Sequence, residues 1–213
     1  MYPLLPLLLL PLSHALPSPL APYHNWNLSS TASPKSNLTT PLNKRPPAFL
    51  APAALSIYDV ATGAIDCLPP TGSGLVAKSP TNSGHDKTTL VTFRYTQQTA
   101  GKTCQLFLFL DAAAKAAGSR QVDVFTSLAP APPSLDCPST WPPGNQRDNQ
   151  LGRMDVVIGG LARWDWTSSG YLTKPGPCRK VGSVEAFELV GVGDEDYVRW
   201  TQAYGSGLRI GYW

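Results

Sequence analysis

The hydrophobic pattern is densest at residues 101–110, where the sequence reads GKTCQLFLFL. Both alternating sets of side chains are apolar in this run, and only Gln105 interrupts it: one set is Cys104, Leu106, Leu108 and Leu110, and the other is Phe107 and Phe109. A strand whose two sets are both apolar is typical of one that is covered on both faces. We therefore predict a central strand here, around which the other strands pack.

Shorter runs predict the remaining strands. Alternating or apolar segments that end in turn residues occur at 56–60, 88–95, 122–128, 185–192, 197–201 and 208–212. Residues 153–158 and 162–166 predict a hairpin around Gly159 and Gly160, with Trp164 and Trp166 on one buried face. Residues 111–119, DAAAKAAGS, predict a short helical connection.

The spacing of these segments favours one fold class. Short strands recur at nearly regular intervals with turn residues between them, and no long amphipathic helix or alternation of strand and helix is present. We predict an all-β domain at residues 54–213, an antiparallel β-sandwich of the jelly-roll kind.

The first part of the chain has a different composition. Residues 1–15 contain a short, proline-broken apolar run that ends in Ser13-His14-Ala15, which predicts a secretory signal peptide although no basic residue precedes Lys35. Residues 16–53 are rich in Pro, Ser, Thr and Asn, a composition typical of a disordered lead. The sequons at Asn27 and Asn37 predict glycosylation of this lead.

Four cysteines follow the predicted cleavage site. With wide spacing and no CxxC motif, they predict two disulfides rather than a zinc site. Three pairings are formally open. Of these we favour Cys104 with Cys178 and Cys67 with Cys137.

The net charge of +3 does not indicate a nucleic-acid partner. Lys35, Lys44 and Arg45 account for the whole excess, because 14 basic and 14 acidic residues follow residue 49. The domain therefore lacks the basic surface that phosphate backbones require.

Several short motifs carry a family resemblance. In order, they are GKTC at 101–104, VDVF at 122–125, the Pro177-Cys178 pair, FELV at 187–190 and GLRI at 207–210. The sequence from about residue 56 onward resembles the C-terminal domain of fungal ubiquitin-3-binding proteins. That resemblance implies a compact β-sandwich, often behind a signal peptide, without a settled enzymatic role. The family name also implies a cytosolic partner, which the secretion signals here contradict.

Candidate catalytic and metal-binding residues are few. His85 is the one histidine of the predicted domain, and it lies in an ordinary loop sequence without a GxSxG motif. Glu185 and Glu188 offer carboxylates for glycosidase chemistry, and we expect Glu188 to face solvent or a groove. The acidic turn at residues 194–196 does not match a calcium-binding loop, so we predict no metal and no cofactor.

Aromatic residues are concentrated in the second half of the chain. We expect Trp141, in a proline-rich loop, and Trp213, at the end of the sequence, to be exposed and to contact a ligand. The sequence therefore predicts a secreted, non-enzymatic binding protein of the cell wall or secretome, whose ligand is either a carbohydrate or a protein surface. A carboxylate-based glycoside hydrolase or lyase and a structural wall protein are the alternatives. No membrane contact is expected once the signal is removed.

Overall fold

The computed structural model describes residues 48–69, 71–132, 134–138, 146–202 and 205–213. Strands dominate, and the described residues contain no α-helix, only two short 3₁₀ turns at Gln97–Thr99 and Ser134–Asp136. The strands are β1 (Ala48–Leu50), β2 (Ala54–Asp59), β3 (Ile65–Leu68), β4 (Ser73–Lys78), β5 (Lys87–Arg94), β6 (Thr103–Leu110), β7 (Lys115–Gly118), β8 (Gln121–Ser127), β9 (Arg147–Asp155), β10 (Gly160–Leu161), β11 (Arg163–Thr167), β12 (Gly176–Pro177), β13 (Val184–Gly191), β14 (Asp196–Thr201) and β15 (Gly207–Tyr212). The predicted all-β, antiparallel fold class is confirmed.

The strands form a small sheet and a large, curled sheet. The small sheet has the order β1-β15-β6-β10, and the large sheet runs β11-β9-β8-β13-β5-β4-β14-β7, with β2 and β3 added beside β5. The hydrophobic core lies between the sheets, because inward-facing residues of both belong to one buried cluster: Leu106, Leu108 and Ile210 from the small sheet, and Val91, Phe187 and Leu189 from the large one.

Strand β6 is central to the small sheet, as its pattern predicted. One edge pairs with β15, and the other edge is shared by β10, by β12 and by single hydrogen bonds to Leu172 and Ala162. Leu106, Leu108 and Leu110 are fully buried on the inner face. Phe107 and Phe109 are only half-buried, so the outer face is less covered than the sequence suggested.

Two sequence predictions are corrected near the edges of the fold. Residues 115–118 form the edge strand β7 on β14 instead of a helix, because Asp111 Oδ1 accepts the N–H groups of Ala113 and Ala114 in a tight turn and the remaining residues are too few for a stable helix. Strand β1 pairs with β15, and Leu50 is buried in the core. Sheet structure therefore starts before the predicted domain boundary at residue 54.

The predicted hairpin exists, but its tryptophans do not share a face. Strands β9 and β11 pair with a register shift that sets Trp164 opposite Met154 and Trp166 opposite Arg153. Consecutive residues of a strand point to opposite faces, and the bulge at Asp165 therefore separates the two rings. Trp164 packs against the core, whereas Trp166 is 38% exposed.

Both disulfides have the predicted pairing. Cys104 is bonded to Cys178 and Cys67 to Cys137, with Cα–Cα distances of 4.8 and 5.7 Å. Among the described residues, no helix is long and apolar enough to cross a membrane. The disulfides are compatible with an extracellular protein.

Candidate functional site

A cleft of about 720 Å³ opens at one end of the sandwich. Strands β8, β9 and β13 contribute to it, together with Arg179 and part of the segment at 168–171. Its lining combines side chains that can hydrogen-bond with apolar ones: Thr126, Ser127, Asp148, Asn149, Gln150, Ser168, Ser169, Tyr171, Arg179 and Glu185, and Leu128, Pro130, Leu151, Val184, Ala186 and Phe187. We refer to this site as the cleft.

Strand alternation brings Glu185 into the cleft. In the ladder between β13 and β5, Glu185 lies opposite Phe93, and Phe187 lies opposite Val91. Phe93, Val91 and Phe187 all belong to the core, so this set of side chains faces inward. Glu185 continues the inward-facing row at the point where the core ends, and its carboxyl therefore enters the cleft.

The Glu185 carboxyl has a partner on each oxygen. The Tyr95 hydroxyl donates a hydrogen bond to Oε2 at 2.5 Å, and Arg179 Nε donates one to Oε1 at 2.9 Å. Burial raises the pKa of Glu185, although the hydrogen bond from Tyr95 opposes this shift. Burial, followed by the hydrogen bond to Glu185, also raises the pKa of the Tyr95 hydroxyl.

Arg179 is held in place by Glu185, Tyr171 and a disulfide. Its Nε also donates to the Tyr171 hydroxyl at 3.0 Å, and its guanidinium carbon lies 4.8 Å from the centre of the Tyr171 ring. Cys178, the preceding residue, is bonded to Cys104 in the core strand β6. The terminal nitrogens of Arg179 form no hydrogen bond with any residue the structure describes, and its side chain is 56% exposed. They are therefore available to a ligand.

The rim of the cleft is both polar and apolar. Asp148 Oδ2 accepts hydrogen bonds from Asn149 Nδ2 at 2.6 Å and from the Thr126 hydroxyl at 3.2 Å, which orders these side chains. Leu128 and Val184 are 68% and 39% exposed at the rim. Exposed apolar side chains beside ordered polar groups are typical of a ligand-binding surface.

Glu188 does not share this site. It lies three residues beyond Glu185 on the same strand and therefore points to the outer face of the large sheet. The expectation that it faces solvent or a groove is wrong: its side chain is 3% exposed and accepts a hydrogen bond from Arg147 Nη2 at 3.0 Å. Burial of an unpaired carboxylate carries a large desolvation cost. The hydrogen-bonded ion pair with Arg147 offsets this cost, so that Glu188 can be buried.

Glu188 and Arg147 lie beside a second apolar cluster on the outer face, which we call the outer-face cluster. Its members are Ala54, Tyr58, Ile65, Leu90 and Ala131. Burial, with a smaller contribution from the Glu188 charge, raises the pKa of Tyr58. Cys67 packs against this cluster, and its disulfide to Cys137 ties the loop after β8 to the outer face.

His85 is not part of a catalytic triad in the described residues. Its Nδ1 lies 3.0 Å from Asp59 Oδ2, which also accepts a hydrogen bond from Lys87 Nζ at 2.5 Å. Burial alone would raise the pKa of Asp59, but the hydrogen bonds from Lys87, His85 and Thr62 hold it well below its usual range. No described serine or threonine hydroxyl bonds to His85, so the group is an ion-pair cluster at a turn.

The acidic turn is a structural feature built around one residue. Asp196 is buried, and its carboxylate accepts four hydrogen bonds, from the N–H groups of Ser119, Val192 and Gly193 and from the Ser119 hydroxyl. These four bonds connect the turn before β14 to the end of β7. Among the described residues, no group of three or more acidic, histidine or cysteine side chains could hold a metal ion.

The tryptophans predicted to bind a ligand lie away from the cleft or outside the described residues. Trp213 is 40% exposed but does not line the cleft, and its backbone pairs with Thr103. Trp141 lies outside the described residues, as do the predicted signal peptide, the sequons at Asn27 and Asn37, and most of the predicted lead. These assignments stay predictions.

Sequence reasoning missed Arg179 and the polar residues at 148–150. Tyr171 appears among the aromatic residues of the second half, but nothing in its glycine- and proline-rich segment marks it as a site residue. The sequence position of Arg179 could have indicated it as a site residue. Arg179 directly follows a cysteine that was predicted to be disulfide-bonded, and the backbone next to a disulfide is fixed.

No protein-family model matches the chain, and no curated protein matches it significantly. The resemblance to the C-terminal domain of fungal ubiquitin-3-binding proteins stays a prediction.

Proposed function

We propose that this protein is a secreted fungal β-sandwich module that binds a cell-wall polysaccharide without cleaving it. The cleft is the observation that carries the proposal. It presents the planar polar groups of Asn149, Gln150 and Arg179 beside the Tyr171 ring. Such groups match the hydroxyls and the apolar ring faces of a sugar, and the exposed Leu128 and Val184 extend the apolar contact.

The arrangement of carboxylates favours binding over hydrolysis. Glycosidases place two carboxyl groups on either side of the scissile bond, about 5 Å apart in retaining and roughly 6.5–9.5 Å apart in inverting enzymes. Glu185 and Glu188 point to opposite faces of the sheet and so cannot flank one bond. Both oxygens of Glu185 are already hydrogen-bonded, which suits a residue that positions Arg179.

A glycoside hydrolase or lyase is the second candidate. The observation that favours it is the raised pKa of Glu185, because a carboxyl with a raised pKa keeps its proton, and can act as a general acid, at a higher pH than an ordinary carboxyl. Asp148, on the cleft rim, is the other carboxylate that a substrate in the cleft could meet.

Three features support the extracellular setting of the proposal. Both disulfides use all four cysteines, the opening sequence has the pattern of a signal peptide, and the two sequons precede the domain. A wall polysaccharide is the ligand class that such a protein meets in high abundance. The alternative is retention in the wall through a protein surface. A pull-down with pure polysaccharides would then retain none of the protein.

The experiment is a pull-down of the purified protein with insoluble chitin, β-glucan and cellulose. Soluble reducing sugar is assayed in the same tubes. We expect retention on one polysaccharide without sugar release. Sugar release would replace this proposal with the hydrolase or lyase, and the absence of both would direct the search to protein partners or a structural role.

Variants then locate the binding surface. Arg179→Ala should abolish retention, whereas Arg163→Ala, which removes an exposed arginine outside the cleft lining, should not. Trp213→Ala tests the aromatic prediction from the sequence. If Trp213→Ala abolishes retention and Arg179→Ala does not, the ligand binds at the end of the chain and the cleft is not the site.

A further inference from the structure

A second, smaller pocket lies beside the edge strand β7. It has a volume of about 260 Å³ and shares no lining residue with the cleft. The turn before β7, the start of β7 and the end of β14 line it: Asp111, Ala113, Lys115, Arg199, Trp200 and Thr201. Two of these residues are cations that the fold of the sheet forces together.

Lys115 and Arg199 are direct cross-strand partners in the ladder between β7 and β14. Directly opposite residues share a face, and their Cβ atoms are about 5 Å apart, so two like charges in this position repel each other. Neither residue forms an ion pair with any described residue, and both are exposed.

The neighbours on the same face do not compensate these charges. On its other side, Arg199 is paired with Leu75 of β4. The residues two positions away on β14 are Tyr197 and Thr201, and the residue two positions after Lys115 is Ala117. An uncompensated pair of cations on a sheet surface is therefore a feature that a bound anion would stabilise.

Asp111 supplies one negative charge at the edge of the pocket. Its Oδ1 accepts the N–H groups of Ala113 and Ala114, and it therefore holds the turn before β7 in place. One carboxylate set against two cations leaves the pocket with an excess of one positive charge. The balance favours an anion over a neutral or cationic ligand.

A buried cation, Arg209, is connected to the pocket through Ser206. Trp200, which also lines the pocket, is 2% exposed, and its indole Nε1 lies against Gly207 on the inner face of the sheet, so this donor does not face a ligand in the pocket. Arg209 is 7% exposed and donates through Nη2 to the carbonyl oxygens of Gln202 and Ser206, but it has no carboxylate partner in the part of the chain that the structure describes. The Ser206 hydroxyl accepts the Asp111 N–H, which connects this cation to the pocket. A third cation therefore lies near the pocket.

We propose that the pocket formed by Lys115, Arg199 and Thr201 binds an oxyanion, namely a carboxylate, sulfate or phosphate group. Lys115 and Arg199 supply charge-assisted hydrogen bonds, and the Thr201 hydroxyl supplies a neutral one. The proposal is independent of the polysaccharide site, because the two pockets have no lining residue in common.

The test measures thermal unfolding and calorimetric binding of the full chain with sodium phosphate, sodium sulfate and sodium glucuronate, each against sodium chloride at equal ionic strength. We expect at least one oxyanion to raise the melting temperature above the chloride control, and by more than it raises that of Arg199→Gln, because sulfate and phosphate stabilise folded proteins in general. A response to glucuronate alone identifies an acidic sugar as the source of the group, and a response to phosphate or sulfate identifies a free or esterified inorganic oxyanion.

Arg199→Gln and Lys115→Gln are the variants, and Arg163→Gln is the matched control. Each of the first two should weaken binding by about tenfold or more, since each removes a charge-assisted contact. In low-salt buffer without oxyanion, Arg199→Gln should melt no lower than the unsubstituted protein, because the substitution relieves the repulsion. The proposal is overturned if no oxyanion acts beyond ionic strength, or if both variants respond like the control.

Discussion

Two glutamates, three residues apart on strand β13, occupy opposite faces of the large sheet with similar partners. Glu185 bonds to an arginine and a tyrosine in the open cleft, and Glu188 bonds to an arginine beside a tyrosine in the outer-face cluster. The arginines differ most: the Arg179 side chain is 56% exposed, whereas that of Arg147 is 22% exposed. The same chemical groups therefore lie open to solvent on one face and are buried on the other.

Each face also has its own disulfide. The two disulfides enclose chain segments of similar length. The sequence separations are 74 for Cys104 and Cys178 and 70 for Cys67 and Cys137. The first disulfide fixes the backbone next to Arg179, and the second fixes the loop beside the outer-face cluster. Solvent access, rather than residue type or crosslinking, is therefore what distinguishes the two arginines.

The largest expected effect comes from removing a disulfide. The double variant Cys104→Ala and Cys178→Ala should lose about 4 kcal/mol of unfolding free energy, because an unfolded chain without the crosslink gains conformational freedom. Urea unfolding measures this loss. The double variant of Cys67 and Cys137 should also lose stability but keep polysaccharide retention, and equal loss of retention in both would erase the distinction between the faces.

Breaking the buried ion pair should cost slightly less. Arg147→Ala leaves the Glu188 carboxylate, only 3% exposed, without its partner, and the expected loss is about 3 kcal/mol. The measurement is again urea unfolding at neutral pH. A loss below about 1 kcal/mol, the range of surface ion pairs, would mean that water reaches Glu188 and that the outer face is open as well.

Arg179→Ala, unlike Arg147→Ala, should affect ligand retention more than stability. Because this side chain is mostly exposed, the substitution should cost at most about 1 kcal/mol of stability. Retention on the polysaccharide should nevertheless be lost. Calorimetric unfolding and the pull-down, run on the same preparation, check both statements. A variant that is strongly destabilised would place Arg179 with Arg147 as a structural residue.

The smallest effect is a pH dependence at Glu185. Its pKa is raised in the folded state, so the folded protein keeps this proton at pH values where the unfolded chain has released it. The contribution of Glu185 to the unfolding free energy is therefore fully present below its ordinary pKa of about 4.3 and decreases as the pH rises through the raised value.

Glu185→Gln should remove that dependence. The difference in unfolding free energy between the unsubstituted protein and this variant should decrease as the pH rises from about 4 toward neutrality. Urea unfolding at four pH values measures it. Asp123→Asn, which changes a carboxylate paired with Arg153 away from the cleft, is the matched control. A difference that increases with pH would contradict the burial of Glu185.

The sequence predicts the fold far better than the site. Alternation of side chains identifies β5, β6, β8 and β13, because a half-buried or buried strand has to follow that pattern. The same alternation does not predict the bulge at Asp165, since one extra residue changes the face of Trp166 without changing the composition. The helix expected at 111–119 fails because the turn at Asp111 and pairing with β14 outweigh weak helix propensity.

The site depends on contacts that no local pattern carries. Glu188 is buried because Arg147, 41 positions earlier in the sequence, comes to lie on the same face. Arg179 and Tyr171 lie in a segment without periodicity, so only the folded chain brings them to Glu185. The register partners Lys115 and Arg199 likewise required a strand that the sequence did not predict.

The shared edge of β6 has a consequence for the solubility of this protein. The sequence TCQLFLFL has high β propensity, no charge and no proline, which is the composition of a segment that forms amyloid when its edge is free. Short pieces of β10 and β12 and two single hydrogen bonds occupy that edge in place of a full strand. The Cys104–Cys178 bond ties the residue after β12 to β6 itself. We therefore expect reduction of this bond to expose an aggregation-prone edge, so that light scattering increases on reduction before unfolding is complete.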